Sequence, residues 1–381
     1  MSEDLVAKVR RRLSDDDCVS AGSGQVARLV RAESAVVGDA EVAAAVRRVN
    51  ADVTGFGPLD DLLGRPGVTD VLVNGPDEVW IDDGSTLTRV DVSFPDEESV
   101  RRTAQRLLAS AGRRVDLAHP FVDAQLPGGL RLHVVLPPIS RSTVLSLRVP
   151  RRRAFSMRDL ERVGTVDGAM AAALRRLVEG HVSFLVTGGT GAGKTTVLAS
   201  LLGSVSPSER LVIIEDTAEL RHSHPHAVHL QSRAANSEGA GAVTMADLVR
   251  QALRMRPDRI VVGEARGAEV VDLLGALNTG HSGSASTVHA NAPQDVVARF
   301  AALGTLAGVS GEAVERQLAA AIGAVVHVER DAAGRRFVAV VAALTWRNGC
   351  VVVEPAVTAP RAGAASARGP GWAELAGRLR A

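Results

Sequence analysis

The chain has 381 residues, with 44 basic and 43 acidic side chains and a formal net charge of +1. That length exceeds what one core usually organises, so two or three domains are expected, and the balanced charge supplies no global field for a nucleic-acid partner. Its two cysteines, Cys18 and Cys350, fit neither a metal spacing nor a disulfide framework, which points to a reducing compartment.

The opening residues carry no apolar signal core, and the longest greasy run, Phe337 to Trp346, is too short to cross a bilayer. A cytoplasmic location is therefore expected, with any membrane association made through partners. Residues 1–50 read as a helical segment, with Leu5, Val9 and Leu13 and then Val26, Leu29 and Val30 at helical spacing. Thr54-Gly55-Phe56-Gly57-Pro58 punctuates the chain. Thr69 to Pro76 and Val79 to Gly84 then read as a hairpin, Asp96 to Ser110 as a helix with an acidic start, and Arg131–Val135 and Thr143–Val149 as strands. Residues 51–149 are expected to form an α+β domain, and 150–160, with Pro150-Arg151-Arg152-Arg153, a linker.

The pattern changes over 161–356. Met170 to Glu179 reads as a helix, and Val182 to Val186 as a strand running into Gly188-Gly189-Thr190-Gly191-Ala192-Gly193-Lys194-Thr195. This run fits G-x-x-x-x-G-K-[ST], a loop whose backbone N–H groups converge on phosphates at a helix N-terminus. Lys194 would reach the β- and γ-phosphates of a nucleotide, and the Thr195 hydroxyl would bind Mg²⁺. The chain has only two lysines, Lys8 and Lys194, and one stands where this loop needs an ammonium. A plain flexible turn fits less well, because strand and helix flank the loop.

Short apolar runs follow at Leu211–Ile214 and Ile260–Val262, as expected of strands covered on both faces in a parallel sheet. Acids stand directly after them: Glu215, Asp216 and Glu219 after the first, Glu264 after the second. Parallel strand ends put such acids on the same sheet edge as the phosphate loop; singly, each also suits a helix cap. His289, in Ser286-Thr287-Val288-His289-Ala290-Asn291, is a candidate γ-phosphate sensor. His222, His224, His226 and His229 are rich enough for a metal tract, but without cysteine or a close carboxylate set they read as a solvated loop. Arg113, Arg114, Arg131, Arg148 and Arg266 are candidate phosphate cations. Val325–Val328, Phe337–Leu344 and Val351–Glu354 read as closing strands, and residues 357–381 as a loose tail with a short helix at Trp372 to Leu379.

From about Gly57 to Glu354 the chain resembles the secretion ATPases of type II and type IV systems, most closely the Tad/CpaF branch that powers Flp pilus assembly. In that family a Walker A loop, an acidic Asp box, a Walker B strand and a His box follow in order. Gly188–Thr195, then Glu215-Asp216 with Glu219, then Leu253–Glu264, and finally Thr279-Gly280-His281-Ser282-Gly283 with Thr287–Asn291, match them here. Val68–Pro76 and Asn236-Ser237-Glu238-Gly239 are similar to the Tad/CpaF branch. No aspartate follows Arg266, and no tetracysteine zinc module is present, which separates the chain from many retraction and type II assembly ATPases.

The resemblance implies an α/β fold: a RecA-like P-loop motor domain, a smaller N-terminal α+β domain and a short helical N-terminus. It implies an ATP hydrolase with Mg²⁺. The catalytic set would be Glu264 on water, Glu215 and Glu219 on Mg²⁺ or water, His289 and Lys194. Gly188, Gly189, Thr190, Gly191, Ala192, Gly193, Lys194, Thr195 and Thr196 would bind the nucleotide, joined by Arg131 and Arg148 from the N-terminal domain. Thr195 and Glu215 would hold the metal. The implied partners are five further copies in a homo-hexamer and an inner-membrane platform that lifts pilin-like subunits. A conjugation-type channel ATPase is the main alternative. A nucleic-acid motor is disfavoured by three Trp, seven Phe and no Tyr, too few stacking platforms for single strands, so no stable nucleic-acid binding is expected.

Overall fold

The computed structural model describes residues 55–84, 86–150, 154–233, 235 and 240–379. The expected N-terminal helices and the Asn236–Gly239 motif lie outside them. The chain divides into two units, Met1–Pro150 and Arg151–Ala381.

The first unit is a six-stranded antiparallel sheet of order β3-β2-β1-β6-β5-β4. Its strands are β1 (Asp70–Gly75), β2 (Glu78–Asp82), β3 (Leu87–Val90), β4 (Phe121–Gln125), β5 (Arg131–Val135) and β6 (Val144–Arg148). Alternation decides the buried face: Val71 and Val73, Leu132 and Val134, and Leu145 and Leu147 all point inward. The helix Glu97–Ser110 covers that face with Val100, Ala104, Leu107 and Leu108, and its first turn is capped by the Asp96 carboxylate on the Ser99 N–H.

The second unit is a nine-stranded sheet of order β15-β14-β13-β12-β7-β11-β10-β8-β9. In chain order these are β7 (Phe184–Gly188), β8 (Leu211–Glu215), β9 (Ala227–Gln231), β10 (Arg259–Val262), β11 (Ala285–His289), β12 (Ala324–Arg330), β13 (Arg336–Arg347), β14 (Cys350–Thr358) and β15 (Ala367–Arg368). The stretch from β12 to β9 is parallel, and the rest is antiparallel. Continuous apolar runs fit because both faces are covered. Phe184, Val186, Leu211, Ile213 and Val261 pack on one face under the helices Gly168–Glu179 and Lys194–Leu202. Leu185, Val212, Ile214, Ile260 and Val262 pack on the other, under Met245–Ala252, Glu269–Asn278, Asp295–Leu306 and Gly311–Ala321. The second unit has the expected α/β fold, and the first is the expected smaller α+β domain.

Two expectations are corrected. Residues 157–160 are not linker: the helix Met157–Arg162 opens with a reciprocal Ser156/Asp159 cap and buries Met157 and Leu160 in the second unit. The tail is not loose over residues 357–379. Strand β14 runs on to Thr358, and the helix Trp372–Arg378 seats Leu375, fully buried, on the sheet. Arg378 ties that helix down by donating to the Leu344 carbonyl at 2.9 Å. Its composition reads as disordered, but Trp372 and Leu375 supply the anchors. Leu375→Ala should destabilise the second unit by about 2–5 kcal/mol, read as a lower denaturant midpoint; an unchanged midpoint would mean the tail helix is not docked in solution.

Candidate active site

Parallel register brings the site together. Gly188 at the end of β7 pairs with His289 at the end of β11, and Val262 of β10 pairs with Ile214 of β8. The phosphate loop, Glu215, Glu264 and His289 therefore leave the sheet along one carboxyl edge, where open α/β sheets bind ligands.

The loop geometry demands glycine. Gly188 has φ 145°, and a Cβ there would lie 2.2 Å from the Val328 carbonyl oxygen. Gly193, at φ 102° in the left-handed region, turns the chain into the helix Lys194–Leu202. The first-turn N–H groups of that helix, including those of Thr195 and Thr196, have no partner within it and suit an anion.

Lys194 is buried (7% exposed). Its Nζ donates to the carbonyls of Gly188 at 3.1 Å and Gly189 at 3.0 Å, and lies 3.2 Å from His289 Nδ1. An ammonium only donates, so Nδ1 accepts and the imidazole proton sits on Nε2. That nitrogen is 3.0 Å from Glu264 Oε1, an ion-pair distance without full hydrogen-bond alignment. His289 thus bridges the loop lysine to the β10 glutamate. Burial pulls the Lys194 pKa down, with the Glu264 charge opposing and Arg266 adding to it. Burial, then the Lys194 charge, also pulls His289 below its ordinary value against the pull of Glu264.

Arg266 donates to Glu264 Oε2 at 2.5 Å. That bond holds its guanidinium above the usual pKa, and the charges of Asp216 and Glu219 add to it. Glu215 is 3% exposed and turned into its own loop. Its Oε1 accepts the N–H groups of Glu219 at 2.9 Å and Leu220 at 2.8 Å. Gly263 makes the space: a Cβ there would meet Glu215 Cγ at 2.7 Å.

The two halves of the expected His box separate. Thr287 donates to the Gly263 carbonyl at 2.7 Å beside His289. Thr279–Gly283 instead precede β11 at the opposite sheet edge, where Gly283 N–H bonds Ser183 Oγ ahead of β7. His281 Nδ1 lies 3.1 Å from the Ala276 carbonyl, at the end of β11 opposite the one that carries His289. The histidine tract is not simply solvated. His222 and His229 stack, and His229 approaches Glu215 Oε2 at 3.6 Å. Among the described residues no group of three or more His, Cys, Asp or Glu could hold a metal. Arg131 and Arg148 face each other across β5 and β6 in the first unit. One contact had no sequence signal: Arg336 of β13 donates to the Gly191 carbonyl at 2.8 Å, which only the fold brings near.

A family model described as type II/IV secretion system protein matches residues 52–364. The chain belongs to that family. It is 55% identical over 323 residues to a putative conjugal transfer protein of Mycobacterium tuberculosis strain H37Rv, covering 83% of this chain and 92% of that protein. It is 34% identical over 252 residues to the type IV secretion system protein PtlH of Bordetella pertussis, covering 60% and 74%. Among solved structures it resembles the ADP-bound pilus retraction motor PilT, with a TM-score of 0.51, 24% identity and 72% and 78% coverage, a likeness of fold. In this family member no helix among the described residues is long and apolar enough to cross a membrane.

Two results are expected. Gly188→Ala should cost about 1–3 kcal/mol of stability in denaturant unfolding through backbone strain, and a wild-type midpoint would show that the loop relaxes. The depressed His289 pKa means the ring takes its proton only below the ordinary ~6.5. Nitrogen-15 spectra of histidine-labelled protein should therefore show His289 neutral at pH 7 and charging at lower pH than free imidazole; a midpoint above that value would contradict the bridge.

Proposed function

We propose that this family member is an ATP-hydrolysing motor of a secretion system, with the phosphate loop as its nucleotide site. The carrying observation is the Lys194–His289–Glu264 chain, which joins the first residue of the helix after the phosphate loop to side chains at the carboxyl ends of β11 and β10. The oxygen-donor set fits the cofactors: the Thr195 hydroxyl and the Glu215 and Glu219 carboxylates are hard ligands that suit Mg²⁺. Thr195 and one of those carboxylates would hold the ion, which neutralises phosphate charge when bound.

The protein's own part follows from its contacts. Glycine-loop N–H groups and Lys194 bind and orient the phosphates. Glu264, between Arg266 and His289, sits where a carboxylate orients the attacking water and takes its proton. His289 touches both lysine and glutamate, so occupation of the loop is felt at the Glu264 carboxylate. Nucleotide-driven closure and release would then do mechanical work.

Its cargo is proposed as pilin-like subunits of a Tad/Flp-type pilus, driven by a homo-hexamer on an inner-membrane platform. A conjugation or type IV secretion channel is a second reading, supported by the names of the Mycobacterium tuberculosis and Bordetella pertussis relatives. Phosphate release tests the activity. Glu264→Gln should retain nucleotide binding and lose turnover by about 10²-fold or more, and Lys194→Ala should lose both. Unchanged turnover in either variant would refute the assignment. Co-purification with a pilus platform or with conjugation-channel components would separate the two cargo readings.

A further inference from the structure

The histidine tract carries a directed chain of hydrogen bonds whose tautomers can be assigned from one fixed donor. The backbone N–H of His224 points at His222 Nδ1 at 3.1 Å. A backbone N–H can only donate, so His222 Nδ1 accepts and its proton sits on Nε2. His222 Nε2 lies 3.0 Å from His229 Nε2, and the two rings stack 7° from parallel with centroids 5.1 Å apart. The His222 proton occupies that gap, so His229 Nε2 accepts and His229 carries its own proton on Nδ1. That Nδ1–H faces Glu215 Oε2 at 3.6 Å, and Oε2 is a buried oxygen with no hydrogen-bond partner.

We propose that His229, oriented by His222, is a positioning residue that presents an Nδ1–H to the free oxygen of Glu215 and so fixes the acidic loop beside Glu264. Oε1 shapes the loop through the Glu219 and Leu220 N–H groups, and the otherwise unpartnered Oε2 faces His229 Nδ1 at 3.6 Å. The loop it fixes carries Asp216 and Glu219, whose charges act on Arg266 at Glu264. His222 is suited to a fixed neutral role, because burial and the neighbouring His229 and His224 push its pKa down to about 4. The catalytic consequence rests on the ATPase reading above; the tautomer assignment does not.

The decisive experiment is nitrogen-15 spectroscopy of histidine-labelled full-length protein without nucleotide, with signals assigned through His222→Gln and His229→Asn. The expected result is Nε2–H on His222 and Nδ1–H on His229, the less common form in free histidine. An Nε2–H tautomer at His229 would overturn the proposal whether or not the protein hydrolyses ATP. Kinetics supply the second arm. His229→Ala should lower kcat by about tenfold with KM for ATP little changed, and His229→Asn, which keeps an N–H near the Nδ1 position, should recover most of it. Equal rates for the Ala and Asn variants would also overturn it.

Discussion

A buried positive charge constrains everything around the phosphate loop. Removing an ammonium from water is costly unless acceptors surround it. Lys194 meets that requirement with two glycine carbonyls and the imidazole of His289. The carbonyls come from the loop itself, so the charge also holds the loop in shape. The imidazole comes from β11 and passes the interaction to Glu264 beyond β10. A phosphate group is a stronger acceptor than either carbonyl or imidazole. In the proposed reading its arrival would compete for Lys194 and change what His289 and Glu264 face.

The sheet delivers these groups with few degrees of freedom. Four strand ends are fixed by parallel pairing, and alternate residues of each strand are sealed under helices on opposite faces. Small residues are required where backbones or side chains must approach closely. Gly188 passes under the Val328 carbonyl, and Gly263 admits the Glu215 side chain. Glu215 consequently serves its own loop, and the more open carboxylates, Glu219 and Glu264, are the ones set toward Arg266.

The second unit was legible where the chemistry is local. The phosphate loop, the acids after β8 and β10, and His289 after β11 all announce themselves by residue type directly behind an apolar run. Strands β3 and β4 were not legible, because Leu87–Val90 and Phe121–Gln125 are largely exposed and lack a clean inward alternation. Thr279–Gly283 looked like part of the same site as His289. The strand between them carries the chain from one sheet edge to the other, so proximity in sequence misled. Arg336 on the phosphate loop and His229 beside Glu215 depend on tertiary pairing, and no spacing rule finds them. The docked tail was hidden by an Ala/Gly-rich composition in which two residues, Trp372 and Leu375, do the anchoring.

The central claim is that Lys194, His289 and Glu264 form one connected unit that a triphosphate engages. A crystal structure with Mg²⁺ and a non-hydrolysable ATP analogue tests it most directly. Phosphates should be seated in Gly188–Thr195, with Lys194 Nζ moved from the glycine carbonyls onto phosphate oxygen and Glu264 within one water of the terminal phosphate. Nucleotide bound elsewhere, or Lys194 still on Gly188 and Gly189 with the loop occupied, would contradict it.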